Sequence, residues 1–312
     1  MWRDLRPPPD VFAAVMAAGI VSISAADHAQ PGISVGLGVF AAVALPVLMV
    51  LAASGWARSP LDMTDIDVVL RLFTYVAACA VVATRFGGTW VVWVLAGMGL
   101  TAWMSLMPLL IRRMRRIGWP ALRDRARGAW ELASVASSGL AIVFAGLHLL
   151  FLAVLFWVVA LAVYLGITTL IVLRAVRERL DRHGFEPDSW ILMGALSIAT
   201  VAGVHIHALW PAPVVQHTTV VTWLVATLWI PALMLFGVRG VRGVNGRVPV
   251  PSAWWAMVFP LGMYSSATFA LWHEVGWGWL YPVSEAFFWT ALAAWCTVAV
   301  LFLRGFRRDL PR

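Results

Sequence analysis

Long apolar runs, separated by short segments that hold most of the charged residues, make up this chain. A helix needs about 20 mostly apolar residues to cross the roughly 30 Å hydrocarbon core of a bilayer. The pattern predicts ten such helices, numbered here as spans one to ten. The predicted spans are 10–26, 32–54, 68–84, 89–111, 130–147, 149–173, 190–209, 215–237, 253–272 and 282–303. Only Gly146 suggests a turn between spans five and six, so this boundary is the weakest.

The first span also resembles a secretory signal peptide in outline. Arg3 and Arg6 precede its apolar run, and small residues follow it. Signal peptides have this order of basic, apolar and small residues. However, three prolines and Asp10 stand between the basic part and the apolar part. We therefore expect the segment to remain as a transmembrane helix.

The predicted spans repeat in pairs along the chain. The odd-numbered spans begin near residues 10, 68, 130, 190 and 253, a spacing of about 60 residues each time. Each unit contains one helix, a short loop, a return helix and a longer basic loop. Five such helical hairpins predict a quasi-fivefold bundle. One set of helices, either all odd or all even, would then line a central path.

Composition supports a single polytopic membrane domain over residues 1–312. The chain is 62% hydrophobic and only 12% charged, whereas soluble domains carry roughly 25% charged residues. Its mean hydropathy is +0.85. Cys79 and Cys296 both fall inside apolar runs, so we interpret them as small packing residues and not as a disulfide or metal pair.

The basic residues set the predicted orientation. All 23 are arginines, and 22 of them lie on one side of the predicted spans. Only Arg85 lies on the other side. Because arginine-rich loops stay in the cytoplasm, we expect both termini to be cytoplasmic and the protein to be a multi-pass protein of the plasma membrane. Basic proteins can bind nucleic acid, but short clusters between apolar runs argue against a nucleic-acid partner.

Motifs of catalysis are missing from the sequence. No HExxH, GxSxG or P-loop pattern occurs. The middle of every predicted span lacks Asp, Glu and Arg; Glu131 lies at the inner start of span five, and Glu274 and Glu285 flank the loop after span nine. A charge at mid-membrane costs about 2.5–3.5 kcal/mol and persists only for a functional reason. We therefore expect neither an enzyme nor a carboxylate relay.

Histidines are the remaining candidate ligands for a haem or metal. Five lie near membrane-facing segments: His148, His205, His207, His217 and His273. Haem ligation needs histidines on facing helices, whereas residues two apart, such as His205 and His207, point to different helix faces. We therefore expect no cofactor and no metal.

Small hydroxyl residues give the odd-numbered spans a neutral polar interior. The candidates for lining a path are Ser22, Ser138, Ser197, Ser265 and Thr268. Serine and threonine also mediate helix packing in membranes, and even-numbered spans carry them too, for example Thr168 and Thr222. Both roles remain open for each of the five.

Span nine contains an aromatic residue directly before a predicted helix break. Phe259 precedes Pro260, and Gly262 follows two residues later. Proline removes a helical hydrogen bond and kinks the helix. Such breaks are tolerated in membranes where the backbone is buried in protein or faces a cavity. If Phe259 points inward, its ring would plug a narrow path.

Three segments resemble one known family. Residues 11–23 (VFAAVMAAGIVSI) look like its first helix, residues 187–199 (PDSWILMGALSIA) like its seventh, and residues 254–268 (WWAMVFPLGMYSSAT) like its ninth. It is the tellurite-resistance/dicarboxylate transporter family, which includes the plant guard-cell slow anion channels and yeast malate permeases. The resemblance extends over essentially the whole chain.

The resemblance implies a homotrimer in which each protomer has its own pore. The odd-numbered helices would line this pore, and the even-numbered helices would form an outer ring. A phenylalanine on the ninth helix would occlude it, and Phe259 matches that position. The implied cargo is a small anion such as chloride, nitrate, a dicarboxylate such as malate, or an oxyanion.

The resemblance thus implies an anion channel or uniporter-like permease in a lipid bilayer, and two physical arguments fit this interpretation. A neutral path binds its ion weakly and so permits fast release. Basic inner loops would concentrate cytoplasmic anions; this role and a purely topological role of the arginines both remain open. The alternative is a proton-coupled C4-dicarboxylate or oxyanion transporter of the tellurite-resistance type. A haem-binding or catalytic membrane protein is the third possibility.

Overall fold

The computed structural model describes residues 7–177, 187–243 and 252–308, whose regular secondary structure is all helical, without strands. Two 3-10 turns, Gly128–Glu131 and Pro187–Trp190, precede α7 and α9. The α-helices are α1 (Ala13–Asp27), α2 (Pro31–Arg58), α3 (Ile66–Arg71), α4 (Phe73–Arg85), α5 (Trp90–Ile117), α6 (Trp119–Arg125), α7 (Leu132–Gly146), α8 (Leu150–Arg177), α9 (Ile191–Leu209), α10 (Pro213–Gly243), α11 (Ser252–Val275) and α12 (Leu280–Arg308).

Eight helical segments of the described chain are long and apolar enough to cross a membrane. They are Pro31–Arg58, Ile66–Arg85, Trp90–Ile117, Gly128–Gly146, Leu150–Arg177, Asp188–Leu209, Pro213–Leu235 and Leu280–Arg304. Helix α1 is apolar but has only 15 residues, and α11 is not among the eight. A multi-pass, all-helical membrane protein is therefore confirmed, whereas the count of ten spans stays a prediction.

The structure adds two local features that the hydropathy pattern did not predict. Span three, predicted as one helix over 68–84, consists of α3 and α4, which meet at Leu72. The basic loop after span four contains the short helix α6, which the pattern did not predict. At the uncertain boundary between spans five and six, α7 ends at Gly146 and His148 adopts a φ of 57° before α8 begins at Leu150.

Tight turns join the helices in pairs. They cover residues 28–30, 86–89, 147–149, 210–212 and 276–279. Ala29 and His148, in two of these turns, have a positive φ. Helices α2, α5 and α8 continue several residues beyond the predicted spans and end near Arg58, Arg116 and Arg177. Cationic side chains at a helix C-terminus interact favourably with the helix dipole, so these basic segments extend the helices.

Burial divides the helices into two groups. In Ile66–Arg85, Gly128–Gly146 and Asp188–Leu209, at least 78% of the most apolar window is buried inside the protein. In the windows of α2, α5, α8, α10 and α12, at most 33% is buried. Residues of α1 and of the middle of α11 are also mostly buried. The second group therefore has the larger surface available to lipid.

Helices α1, α4, α7, α9 and α11, called the inner helices below, pack against one another in sequence. Helix α1 contacts α4, α4 contacts α7, α7 contacts α9, α9 contacts α11, and α11 contacts α1. Each also contacts the helix that follows it through a tight turn, as α1 does with α2 and α11 with α12.

Candidate functional site

The contacts of α11 fix the direction in which Phe259 points. Gly262 faces α1, because a Cβ there would lie 3.1 Å from Ile20 Cγ2. Pro260 faces α9, because a Cβ on Gly194 would lie 2.9 Å from Pro260 Cγ. Successive residues of a helix are about 100° apart, so Phe259 lies on the arc between these two contacts. Its side chain is only 3% exposed.

The opposite side of α11 packs against outer helices. Tyr264 shares a hydrogen bond with Thr227 of α10 (2.8 Å), and Ser265 Oγ donates to the Ser284 carbonyl of α12 (2.7 Å). Phe259 therefore points away from α10 and α12, into the space between α1 and α9. We call the corresponding side of each inner helix, between its contacts with its two inner neighbours, its central face.

The same phase argument defines the central face of the other inner helices. On α1, Gly19 approaches Val81 of α4 and Ser24 bonds to Ser265 of α11, so the arc between them carries Met16, Ile20, Ile23 and Asp27. On α4, Ala80 approaches Gly139 of α7 and Val81 approaches Gly19, so Ala77 and Thr84 lie between. These lists hold more apolar than polar side chains.

Gly139 lies where three inner helices meet. A Cβ at this position would lie 2.9 Å from Ala80 Cβ of α4 and 3.8 Å from Ile198 Cδ1 of α9. Small residues let membrane helices approach closely. On α9, Ile198 lies about 40° from Gly194, which faces α11, and it approaches Gly139 of α7, so it belongs to the central face of α9. Met16, Ile20 and Ile198 are apolar and nearly or fully buried.

Three of the five predicted hydroxyl residues bond towards outer helices. Ser22 Oγ donates to the Ser34 carbonyl of α2 (2.6 Å), and Ser265 Oγ donates to that of Ser284 on α12. Thr268 Oγ1 donates to the Tyr264 carbonyl and accepts from Trp223 Nε1 of α10 (3.0 Å). These contacts favour a helix-packing role, and a pore-lining role for these residues stays a prediction.

The other two hydroxyls lie on α9 and α7. Ser197 Oγ donates to the Met193 carbonyl within its own helix (2.9 Å). Ser138 Oγ is buried and has no hydrogen-bond partner among the described residues. Ser138 lies about 40° from Ser134, which bonds to the Ala160 carbonyl of α8. Ser138 is therefore directed towards the α8 side of α7.

Three polar residues at the α1–α11–α12 junction were not singled out from the sequence: Asp27, His28 and Ser284. Ser266 Oγ donates to Asp27 Oδ2 (2.8 Å), and His28 Nδ1 donates to the Ser24 carbonyl (2.8 Å). His28 Nε2 lies 3.0 Å from Ser284 Oγ. The sequence signal was the presence of Asp27 and His28 directly after span one. Asp27 is the acidic member of this group, and it lies on the central face of α1.

Glu131, expected at the inner start of span five, is fully buried. Thr168 Oγ1 of α8 donates to its Oε1 (2.8 Å), and its Oε2 has no partner among the described residues. It faces α8 and not the central face of α7. Among the described residues there is no group of three or more His, Cys, Asp or Glu side chains that could hold a metal ion.

Comparison with known proteins identifies the family. The family model described as "Voltage-dependent anion channel" matches residues 6–303. Uncharacterized membrane proteins from two strains of Mycobacterium tuberculosis are 30% identical to this chain over 158 residues, which is 48% of this chain and 79% of theirs. The predicted resemblance to this family is thereby confirmed. This match covers nearly the whole chain, and the described residues include apolar helices that can span a membrane. The chain therefore belongs to the voltage-dependent anion channel family, whose members transport anions and are not enzymes.

Proposed function

We propose that this protein is a channel or uniporter-like permease in which Phe259 closes a path for small anions. The path runs between the central faces of the inner helices. The observation that carries the proposal is the position of Phe259, which is buried on the central face of α11 between α1 and α9. The cargo would be chloride, nitrate, a dicarboxylate such as malate, or an oxyanion.

A quasi-fivefold arrangement of five hairpins would create this path. The closed order of contacts α1–α4–α7–α9–α11 supports an inner ring, and the low burial of α2, α5, α8, α10 and α12 supports an outer ring. In this arrangement α1 and α11 complete the ten spans. Three such protomers would form the homotrimer.

The chemistry of the central faces supports weak binding and a closed resting state. Phe259, Met16, Ile20 and Ile198 are apolar and nearly or fully buried, and hydrophobic constrictions close a pore by dewetting. An open path without buried cations would hold its anion weakly and so release it quickly. Across a membrane that is negative inside, efflux of a monovalent anion gains about 2.3 kcal/mol per 100 mV.

Proton-coupled transport of a dicarboxylate or oxyanion is the second candidate. The buried carboxyl group of Glu131, with an oxygen that lacks a partner among the described residues, is the observation that favours it. Intramembrane carboxyl groups often serve proton relays in transporters. Replacing Glu131 by Gln would abolish uptake driven by a proton gradient if this candidate is right, and would leave channel currents unchanged if it is not.

The test of the gate is the substitution Phe259→Ala in planar bilayers, with chloride, nitrate and malate as current carriers. We expect a larger anion conductance, because truncation removes the ring that fills the path. Phe156→Ala is the matched control: Phe156 of α8 is also buried, at 5% exposure, but packs against Trp103 and Phe144. Unchanged conductance in a folded Phe259→Ala protein would remove Phe259 as the gate.

A further inference from the structure

Asp27 is the acidic residue on the central face of α1. It lies on the same side of the helix as Met16, Ile20 and Ile23, in the arc between the contacts with α4 and α11. Its Oδ2 accepts a hydrogen bond from Ser266 Oγ of α11 at 2.8 Å. The carboxyl group of Asp27 is therefore hydrogen-bonded to α11, the helix that carries Phe259.

The bond to Ser266 fixes the depth of Asp27 relative to Phe259. Ser266 follows Phe259 by seven residues in α11. Seven residues are about two helical turns, which brings Ser266 to nearly the same side of the helix and about 10 Å further along its axis. An anion that passes Phe259 along the central faces must therefore also pass Asp27.

No cation neutralises Asp27 among the described residues. Several charged or titratable groups lie near Asp27 along the chain or on the elements packed against α1. None of the ion pairs among the described residues includes Asp27. On α4, Arg85 donates to Ser22 Oγ (2.9 Å) and Ser34 Oγ (3.0 Å). On α1, both ring nitrogens of His28 lie beside Ser24 or Ser284 oxygens.

The remaining groups belong to α11, α12 and α2. Glu274 of α11 pairs with His207 of α9, with 2.9 Å between Oε1 and Nδ1, and His273 packs its ring on Phe269 and Trp272. Helix α12 carries Tyr281, which packs near the His28 ring, and Glu285. Helix α2 has one charged residue, Arg58, at its far end.

We propose that Asp27 is a proton-binding site in the anion path, whose ionised carboxylate repels the permeating anion and whose protonation admits it. This inference rests on the proposed function. The proton adds to a carboxylate oxygen of Asp27 and is released to water when the carboxyl group ionises again. At an effective dielectric constant near 20, a unit charge about 10 Å away lowers the probability of finding an anion by roughly tenfold. Anion conductance therefore rises as the pH falls.

The test measures chloride conductance of the full-length protein in planar bilayers, with pH varied on both sides together from 8 to 5. Equal pH on both sides makes the orientation of the inserted protein irrelevant. The measurement is made in the Phe259→Ala background, where the gate is open. We expect conductance to rise roughly tenfold towards pH 5, the size of the electrostatic effect of one charge. Asp27→Asn should be high and independent of pH, and Asp27→Glu should keep the dependence.

Matched variants separate Asp27 from its titratable neighbours. Glu274→Gln, Glu285→Gln and His28→Gln should each keep the pH response, and Ser266→Ala should also keep it because the carboxyl group remains. A response that persists in Asp27→Asn, or that disappears in His28→Gln, would overturn the proposal. No anion current in any variant would instead contradict the proposed function, whereas an open Phe259→Ala protein without pH dependence contradicts only the role of Asp27.

Discussion

The contact between Gly194 and Pro260 joins α9 to the helix that carries Phe259, and it predicts the effect of one added methyl group. In Gly194→Ala the new Cβ would lie 2.9 Å from Pro260 Cγ, 3.0 Å from its Cβ and 3.1 Å from its Cα. Carbon atoms are most stable about 3.5–4.0 Å apart. A change of ring pucker moves Cγ but hardly moves Cβ, and Cα belongs to the backbone, so α9 and α11 must separate by about half an ångström.

The expected cost of this overpacking is about 1–3 kcal/mol. Replacing a glycine inside a helix by alanine also stabilises the folded protein by about 0.5–1 kcal/mol. The control must therefore be another glycine-to-alanine substitution inside a helix, at a position where the new Cβ meets no atom. Gly97→Ala provides it, because Gly97 lies inside α5 and has no atom within 4 Å of its added Cβ. The difference in stability between the two variants then measures the steric term alone.

Thermal unfolding can be followed through the reactivity of Cys79 with a fluorogenic maleimide. Cys79 is buried, whereas Cys296 is exposed, so both variants are made in a Cys296→Ser background. We expect Gly194→Ala to unfold at a lower temperature than Gly97→Ala and to have a higher chloride leak, because Pro260 directly follows Phe259. Equal unfolding temperatures would refute the packing argument.

Two further substitutions test other parts of the structure. Trp223→Phe removes the indole donor to Thr268 Oγ1 and should lower the free energy of unfolding by about 0.5–1.5 kcal/mol; Trp93→Phe, on an indole that is 57% exposed, should not change it. Gly87→Cys, in the turn after α4, should react with a membrane-impermeant maleimide outside intact cells, and Ser59→Cys, after α2, should not; the reverse pattern would contradict cytoplasmic termini.

Hydropathy predicted the existence of the helices better than their ends. The break at Leu72 has no sequence signal in the leucine itself. The pattern also missed the start of α3 at Ile66, where the Asp65 side chain accepts a hydrogen bond from the Asp67 amide. The turn at His148 was expected only weakly, because the residue with the positive φ is a histidine and Gly146 alone indicated a turn. The basic C-terminal ends of α2, α5 and α8 were missed because the hydropathy pattern marks only the residues within the hydrocarbon core. The helices themselves continue beyond it into the polar region.

The division into buried and exposed helices was suggested by the family resemblance and not by hydropathy. Apolar side chains suit both lipid and protein neighbours, so the pattern cannot distinguish α7, whose apolar window is entirely buried, from α12. The sequence predicted only part of the candidate site. Phe259 was singled out by its position before Pro260, whereas Asp27 was passed over because it lies one residue beyond the predicted end of span one.

The tight turns that follow the inner helices have a mechanical consequence. A turn of three or four residues, such as 28–30 or 276–279, is too short to let one helix of a pair move far without the other. Any widening at Phe259 would then tilt whole hairpins, including their lipid-facing helices, and so increase the area that the protein occupies in the bilayer. Lateral tension in the membrane performs work on such an area change, and a stretched bilayer would therefore favour the open state.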